Sequence, residues 1–155
     1  METSFYGYYD SVIGLVEIGG TEEAVNTLYF VEKRRDEVAS SPPIEAAVEQ
    51  LDAYFQSGRR AFDLPLKMRG TDFQKRVWNQ LLSVDYGTTV SYLDIANALD
   101  HPKAVRAVGA ANGQNPISII VPCHRIIGSN GRLTGYGGGL WRKEWLLKHE
   151  GALLA

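Results

Sequence analysis

The apolar and polar positions of the N-terminal part predict a small sheet covered by one helix. Residues 12–18 and 28–31 are apolar runs typical of strands, and Gly19 and Gly20 between them predict a break. After a pair of prolines, apolar side chains recur at helical spacing towards a stop near Gly58. The members of this helical stripe are Ile44, Val48, Leu51 and Phe55.

Helical periodicity dominates the second half of the chain. Thr71 with Gln74, and Ser91 with Asp94, have the spacing of capping boxes, so each pair predicts the start of a helix. A third helix is predicted over residues 103–112, directly after a turn that contains a proline. Two short helices joined by a tight turn are typical of the helix-turn-helix arrangement.

The segment around the only cysteine is strongly apolar. Residues 117–121 have the composition of a buried strand and lead into the sequence Pro-Cys-His-Arg. Asn130 and Gly131 predict a two-residue hairpin turn, and residues 135–139 predict a flexible glycine loop. A last helix is predicted to end at Gly151.

These elements predict an α+β fold in two domains. Residues 1–66 would form an N-terminal α/β domain, and residues 67–155 a mostly helical C-terminal domain with the helix-turn-helix and a short hairpin. No apolar stretch approaches the ~20 residues that a membrane helix requires, so no membrane partner is expected. The start of the chain lacks the basic and apolar segments of a signal peptide.

Charge is distributed unevenly. The net charge of −2 is a weak argument against nucleic-acid binding. Residues 1–70, however, carry 7 Lys/Arg and 12 Asp/Glu, whereas residues 71–155 carry 9 and 6. The second half is therefore mildly basic, which is compatible with local contacts to phosphates.

Cys123 is the only cysteine. An internal disulfide and zinc sites built on cysteine pairs are therefore excluded, and we expect no metal. An unpaired thiol suits the reducing interior of a cell. Because a lone cysteine after an aliphatic run is most often an inert core residue, reactivity requires a specific neighbourhood.

His124 and Arg125 could supply that neighbourhood. A polar, electropositive setting favours the thiolate, so we expect Cys123 to ionise readily. Adjacent side chains of an extended backbone point to opposite faces, so a bridging water would carry the thiol proton to His124. Glu150 is the candidate carboxylate that orients the imidazole.

The predicted helix over residues 103–112 combines two cations with small residues. Lys103 and Arg106 share one face with Gly109 and Ala110 by the helical period. Such a face can approach a nucleic-acid backbone closely. Close packing against another helix explains the small residues equally well.

Several segments of the second half occur together in a specific order. They are TDFQ at 71–74, VSY at 90–92, AVRAVG at 104–109, NPI at 115–117, VPCHRII at 121–127, GY at 135–136 and KEWLL at 143–147. In this order they resemble the methylated-DNA–protein-cysteine methyltransferases, also called O6-alkylguanine-DNA alkyltransferases. The first 60 residues resemble the ribonuclease H-like N-terminal domain of that family in outline.

The resemblance implies a reaction and a role for each site residue. Cys123 would accept the alkyl group of O6-alkylguanine and would be consumed in the reaction. A wider substrate range would include O4-alkylthymine. His124 would take the thiol proton through water, and Glu150 would orient His124. Asn115 would brace the active-site turn, and Tyr92 would act at the guanine and its neighbouring phosphate.

The resemblance also implies that the partner is double-stranded DNA, bound at the minor groove with the damaged base flipped out. Arg106 would fill the gap in the stack, and backbone groups of Cys123 and Ile126 would read the exocyclic amine of the guanine. Tyr136 and Gly137 would line the alkyl pocket. The remaining expected DNA contacts are Lys103, Ala107, Gly109, Ala110 and Arg125.

We expect a monomer that needs no cofactor and lies in the cytoplasm, or in the nucleus of a eukaryote. Some relatives hold a structural zinc through N-terminal cysteine and histidine ligands, and this chain lacks those cysteines.

Two other functions are considered. A helix-turn-helix protein could bind lesions or regulate genes without transferring an alkyl group, although the complete Pro-Cys-His-Arg sequence and the lack of an effector domain disfavour it. A cysteine hydrolase would require an oxyanion hole and a histidine distant from the nucleophile in sequence, whereas His124 is adjacent to Cys123.

Overall fold

The computed structural model describes residues 3–153, and the chain divides into two units. The first unit extends to Arg69, and the second begins at Gly70. The mixed α/β architecture confirms the predicted fold class. Within residues 3–153, no helix has the length and apolar character needed to cross a membrane.

The first unit is an antiparallel sheet with one helix. Strands β1 (Phe5–Ser11), β2 (Gly14–Gly20) and β3 (Val25–Val31) lie in the order β1-β2-β3, and helix α1 (Pro42–Ser57) packs against them. Prolines at the first positions of α1 and a left-handed Gly58 after its last residue fix its ends, as predicted. The core contains fully buried side chains from both layers, namely Val16, Ile18, Val25, Leu28, Ile44, Ala47, Leu51 and Tyr54.

The predicted bounds of the first strands are wrong. Val12 is 71% exposed in the turn between β1 and β2, and Gly19 and Gly20 end β2 rather than interrupt the sheet. A Cβ atom at Gly19 would overlap the Thr27 hydroxyl, and one at Gly20 would overlap the Ala24 carbonyl. These glycines therefore permit close approach of neighbouring chain segments, which is an alternative reason for glycine in a strand.

The second unit contains four helices and a minimal sheet. The helices are α2 (Asp72–Leu81), α3 (Tyr92–Ala98), α4 (Val105–Gly113) and α5 (Leu140–His149), and the sheet is the pair of two-residue strands β4 (Val90–Ser91) and β5 (Ile126–Ile127). Both predicted capping boxes are confirmed, at the starts of α2 and α3. Gly151 adopts a left-handed conformation just after α5, as predicted for its end.

Helices α3 and α4 form the predicted pair joined by a short turn, and α2 packs on both. The indole Nε1 of Trp78 in α2 donates a buried hydrogen bond of 2.8 Å to the Ala111 carbonyl in α4. Helix α4 begins at Val105, two residues later than predicted. Lys103 therefore lies in the preceding turn and does not share a helical face with Arg106.

Residues 117–121 are buried except for the half-buried Ser118, but the predicted strand is wrong. The segment is a tight turn in which Ile119 has a φ of 69°, a left-handed conformation that β-branched residues rarely adopt. Asn115 closes the turn, because its side-chain Nδ2 donates to the Val121 carbonyl at 2.8 Å and its Oδ1 accepts from the Ile117 amide at 2.9 Å. One polar side chain thus overrides the strand preference of the apolar run.

The predicted hairpin forms only its turn. The Gly128 amide donates to the Arg132 carbonyl across the turn, and Gly131 has a φ of 81°. Strand β5, however, pairs in parallel with β4, and within the described chain no strand follows Gly131. The segment after the turn instead forms hydrogen bonds with other elements, as the hydroxyl of Thr134 does with that of Tyr92.

Candidate active site

Cys123 begins a single turn of 3₁₀-helix, Cys123–Arg125, directly after Pro122. The Cys123 amide donates to the Val121 carbonyl at 2.8 Å, and Asn112 Nδ2 lies 3.5 Å from the Cys123 carbonyl. The thiol is free and only 5% of the residue is exposed. The backbone of the cysteine is therefore fixed from both sides.

The helical turn corrects the predicted extended backbone at this position. Successive side chains of a 3₁₀-helix are about 120° apart, so the side chains of His124 and Arg125 need not lie on opposite faces. Both reach the same carboxylate, that of Glu150 at the C-terminal end of α5.

The three residues form a buried polar cluster. His124 Nε2 lies 2.7 Å from Glu150 Oε2, and Arg125 contacts both carboxylate oxygens through Nε at 2.8 Å and Nη2 at 3.1 Å. Arg125 Nη1 also donates to the Val84 carbonyl at 2.7 Å. His124 is completely buried, and Glu150 is 5% exposed. The bidentate contact fixes the carboxylate plane against the imidazole.

The charges of this cluster follow from burial and pairing. Burial alone would raise the pKa of Glu150, but the hydrogen bonds and charges of His124 and Arg125 outweigh it and hold the pKa well below its usual range. Burial lowers the pKa of His124, and Glu150 only partly opposes this. The cluster at neutral pH is therefore a carboxylate between a guanidinium and a neutral imidazole.

Arg125 does not have the environment predicted for it. Its guanidinium is buried and its hydrogen bonds go to Glu150 and Val84, so the expectation that its side chain contacts DNA is wrong. Its charge is compensated by the carboxylate and does not make the surroundings of Cys123 electropositive.

The thiol of Cys123 is accordingly not a ready thiolate. Burial raises its pKa, while a hydrogen bond from Asn115 and the nearby charge of Lys143 act in the opposite direction. The expectation of a favoured thiolate is therefore wrong for the protein without substrate. Attack by this sulfur requires a base that accepts its proton.

Lys143 was not identified from the sequence. The residue is completely buried, and its Nζ donates to the Thr134 carbonyl at 2.9 Å. Burial lowers the pKa of Lys143 to about 8, opposed by the neighbouring Cys123. The sequence offered one indirect signal, a lysine at position 143 on the inward side of a helix that buries Leu146 and Leu147.

Tyr136 lies close to the cysteine. Its hydroxyl is buried, and burial together with the charge of Cys123 raises the pKa of the phenol well above its ordinary value. Ser118 in the Asn115 turn opposes this shift. Gly137 is exposed, and a side chain there would meet open space.

Tyr92 and the exposed face of α4 adjoin this region. The Tyr92 hydroxyl hydrogen-bonds the Thr134 hydroxyl, and its ring lies 3.8 Å from the position of a Cβ at Gly109. Ile126 is fully buried in β5, and Gly109 is half-buried. The remaining predicted contacts are exposed on α4 or in the turn before it: Lys103, Arg106, Ala107 and Ala110.

The described residues hold no group of three His, Cys, Asp or Glu side chains that could bind a metal ion. The sequence-based reasoning also missed Asn112 and Thr134, which contact the Cys123 carbonyl and the Tyr92 hydroxyl, respectively. Neither residue has a local sequence signal, because both act on segments that are distant along the chain.

Both parts of the chain are similar to one known protein family. Residues 72–152 match the family described as 6-O-methylguanine DNA methyltransferase, DNA binding domain, and residues 4–68 match its ribonuclease-like domain. A methylated-DNA–protein-cysteine methyltransferase from Methanosarcina acetivorans is 47% identical over 154 residues, covering 96% of this chain and 99% of the relative.

Solved structures give the same result. The crystal structure of Mycobacterium tuberculosis OGT in complex with DNA matches with a TM-score of 0.87 and 48% identity, over 96% of this chain and 93% of that chain. An O6-methylguanine DNA methyltransferase from Methanococcus jannaschii matches with a TM-score of 0.62 and 27% identity, over 100% of this chain and 93% of that chain. The chain therefore belongs to the 6-O-methylguanine DNA methyltransferase family.

Proposed function

We propose that the protein repairs DNA by transferring the alkyl group of O6-alkylguanine to the sulfur of Cys123 in a single, irreversible event. The observation that carries this proposal is the buried hydrogen bond between His124 and Glu150, because His124 directly follows the only thiol of the chain. The names of the relatives, which are methyltransferases that act on methylated DNA, support the same reaction.

The proposed transfer moves one proton from the thiol and one alkyl group to the sulfur. The thiol proton passes through a water molecule to His124 Nδ1, which has no hydrogen-bond partner within residues 3–153, while Nε2 faces Glu150. The sulfur attacks the alkyl carbon, an S–C bond forms, and the C–O6 bond breaks with its electron pair leaving on the guanine. Tyr92 protonates the developing guanine anion, and solvent then restores both side chains. Water does not cleave the thioether product, so each protein molecule reacts once.

The target oxygen lies inside the duplex, so the base must be extruded before attack. Arg106 on the exposed face of α4 would occupy the gap that the extruded base leaves in the stack. Ala107, Gly109 and Ala110 make that face small enough to press against the minor groove, and Lys103 would contact a phosphate. Asn115 would brace the turn that presents the cysteine.

The extruded guanine would be read by the backbone around the active-site turn. The carbonyls of Cys123 and Ile126 would accept hydrogen bonds from its exocyclic amine, and Tyr136 and Gly137 would border the alkyl group. DNA binding and alkyl transfer are assigned to residues 67–155, and residues 1–66 form the N-terminal domain. A DNA substrate and an unpaired thiol support a cytoplasmic location.

Alkyl transfer predicts a specific product on one residue. After incubation with a duplex that carries one O6-methylguanine, mass spectrometry should find one added CH₂ on the peptide with Cys123 and at most one per protein molecule. Cys123→Ser should bind the duplex without any gain in mass. Binding by the wild-type protein without a gain in mass would identify a lesion-binding protein, and repeated turnover would contradict a consumed cysteine.

The role of Arg106 in base extrusion predicts that Arg106→Ala slows transfer from duplex DNA but not from a free base. Because extruding a stacked base costs a few kcal/mol, loss of the side chain that fills the gap should slow transfer from duplex DNA by about 10- to 100-fold. Transfer from free O6-benzylguanine should be unchanged, because that base needs no extrusion. Lys75→Ala removes an exposed cation from α2 and serves as the control. Equal slowing with both substrates would argue against this role.

The lowered pKa of Glu150 predicts how the stability of the protein depends on pH. A carboxyl group whose pKa is depressed in the folded state stabilises the protein above its ordinary pKa, near 4.5, and this contribution is lost as the pH falls. Glu150→Gln should therefore flatten the acid limb of the unfolding free energy measured in urea. It should also destabilise the protein at pH 7 by about 3–5 kcal/mol, because Arg125 is left buried without its partner.

Glu144→Gln is the matched control on the same helix, since Glu144 is 51% exposed and pairs with Lys148. Its effect should be small at every pH. Parallel stability curves for wild type and Glu150→Gln would contradict the assigned charge state.

A further inference from the structure

A buried cation lies beneath the loop that carries Tyr136, and the proposed transfer does not use it. Lys143 is completely buried, a rare situation for lysine, and its Nζ donates to the main-chain carbonyl of Thr134 at 2.9 Å. Burying an ammonium group is costly unless it is hydrogen-bonded. The contact therefore ties residue 134 to α5.

Thr134 uses its side chain for a second contact. Its hydroxyl hydrogen-bonds the hydroxyl of Tyr92, the first residue of α3. The same residue thus joins α5 through its carbonyl and α3 through its side chain. The ring of Tyr92 is fixed by packing over Gly109, so the direction of its O–H bond depends on the hydrogen-bond partner of the oxygen.

We propose that Thr134 is a positioning residue that aims the Tyr92 hydroxyl at the extruded guanine, with Lys143 holding Thr134 in place. This inference rests on the proposed function. When Thr134 donates its hydroxyl hydrogen to the Tyr92 oxygen, the proton of Tyr92 is free to point at the base. As the C–O6 bond breaks, Tyr92 gives that proton to the guanine, and the hydrogen bond from Thr134 stabilises the negative charge left on the phenol oxygen.

The alternative is that Thr134 only anchors its loop, and a double-mutant cycle separates the two roles. Single-turnover rates of transfer from a duplex with one O6-methylguanine are measured for wild type, Thr134→Val, Thr134→Ser, Tyr92→Phe and the Tyr92→Phe/Thr134→Val pair. Valine keeps the shape of threonine and removes the hydroxyl, whereas serine keeps the hydroxyl.

Thr134→Val should slow transfer about tenfold, the rate equivalent of one hydrogen bond, and Thr134→Ser should restore most of the rate. In the Tyr92→Phe background, Thr134→Val should have no further effect. A similar loss with and without the Tyr92 hydroxyl would overturn the proposal, as would a wild-type rate for Thr134→Val. If the valine variant fails to fold, Thr134→Ala removes the same hydroxyl and is compared with Thr134→Ser.

The outcomes also distinguish this inference from the proposed function. If the wild-type protein gains an alkyl group on Cys123 and the valine variant reacts equally fast, only the inference fails. If the wild-type protein gains none, the proposed function itself fails.

Discussion

The site depends on one carboxylate. Glu150 closes the C-terminal end of α5 and binds the two residues that follow the cysteine, His124 and Arg125. All three side chains are buried. Each forms a hydrogen bond with a polar group that would otherwise be buried without a partner. Such a cluster need not increase stability over an apolar core, but removing one member is costly, so it specifies one arrangement. The active-site turn is thereby fixed to a helix that begins seventeen residues after Cys123 in sequence.

The same burial that stabilises this cluster suppresses the reactivity of the thiol. Cys123 is shielded from solvent and its pKa is raised, which protects an unpaired cysteine from adventitious oxidation. In the proposed transfer, reactivity depends on a neutral imidazole with one nitrogen directed at Glu150 and the other available to accept a proton. The same burial therefore accounts both for the protected thiol and for its need of a base during the proposed transfer.

Local signals predicted the helices well, whereas contacts between distant segments decided the rest. The capping boxes at Thr71 and Ser91 are satisfied within four residues, so the sequence alone locates them. Residues 117–121 have the composition of a strand, but the side chain of Asn115 folds them into a turn. The pairing of His124 with Glu150 was predicted twice, first as a candidate carboxylate for the imidazole and then as a role implied by the family resemblance. The burial of Arg125 had no local signal, and that of Lys143 had only its inward position on α5, because their hydrogen-bond partners lie elsewhere in the chain.

The protonation state and tautomer of His124 decide whether this residue can accept the thiol proton. Nitrogen-15 NMR of the imidazole, followed from pH 8 downwards in the intact protein, reports both its charge and its tautomer. Since burial lowers the pKa of His124, the ring should stay neutral at and below its ordinary value near 6.5, with the proton on Nε2 and Nδ1 bare. An imidazolium at pH 7, or a neutral ring protonated on Nδ1, would contradict the account, because no nitrogen would then be available to take the proton of the thiol.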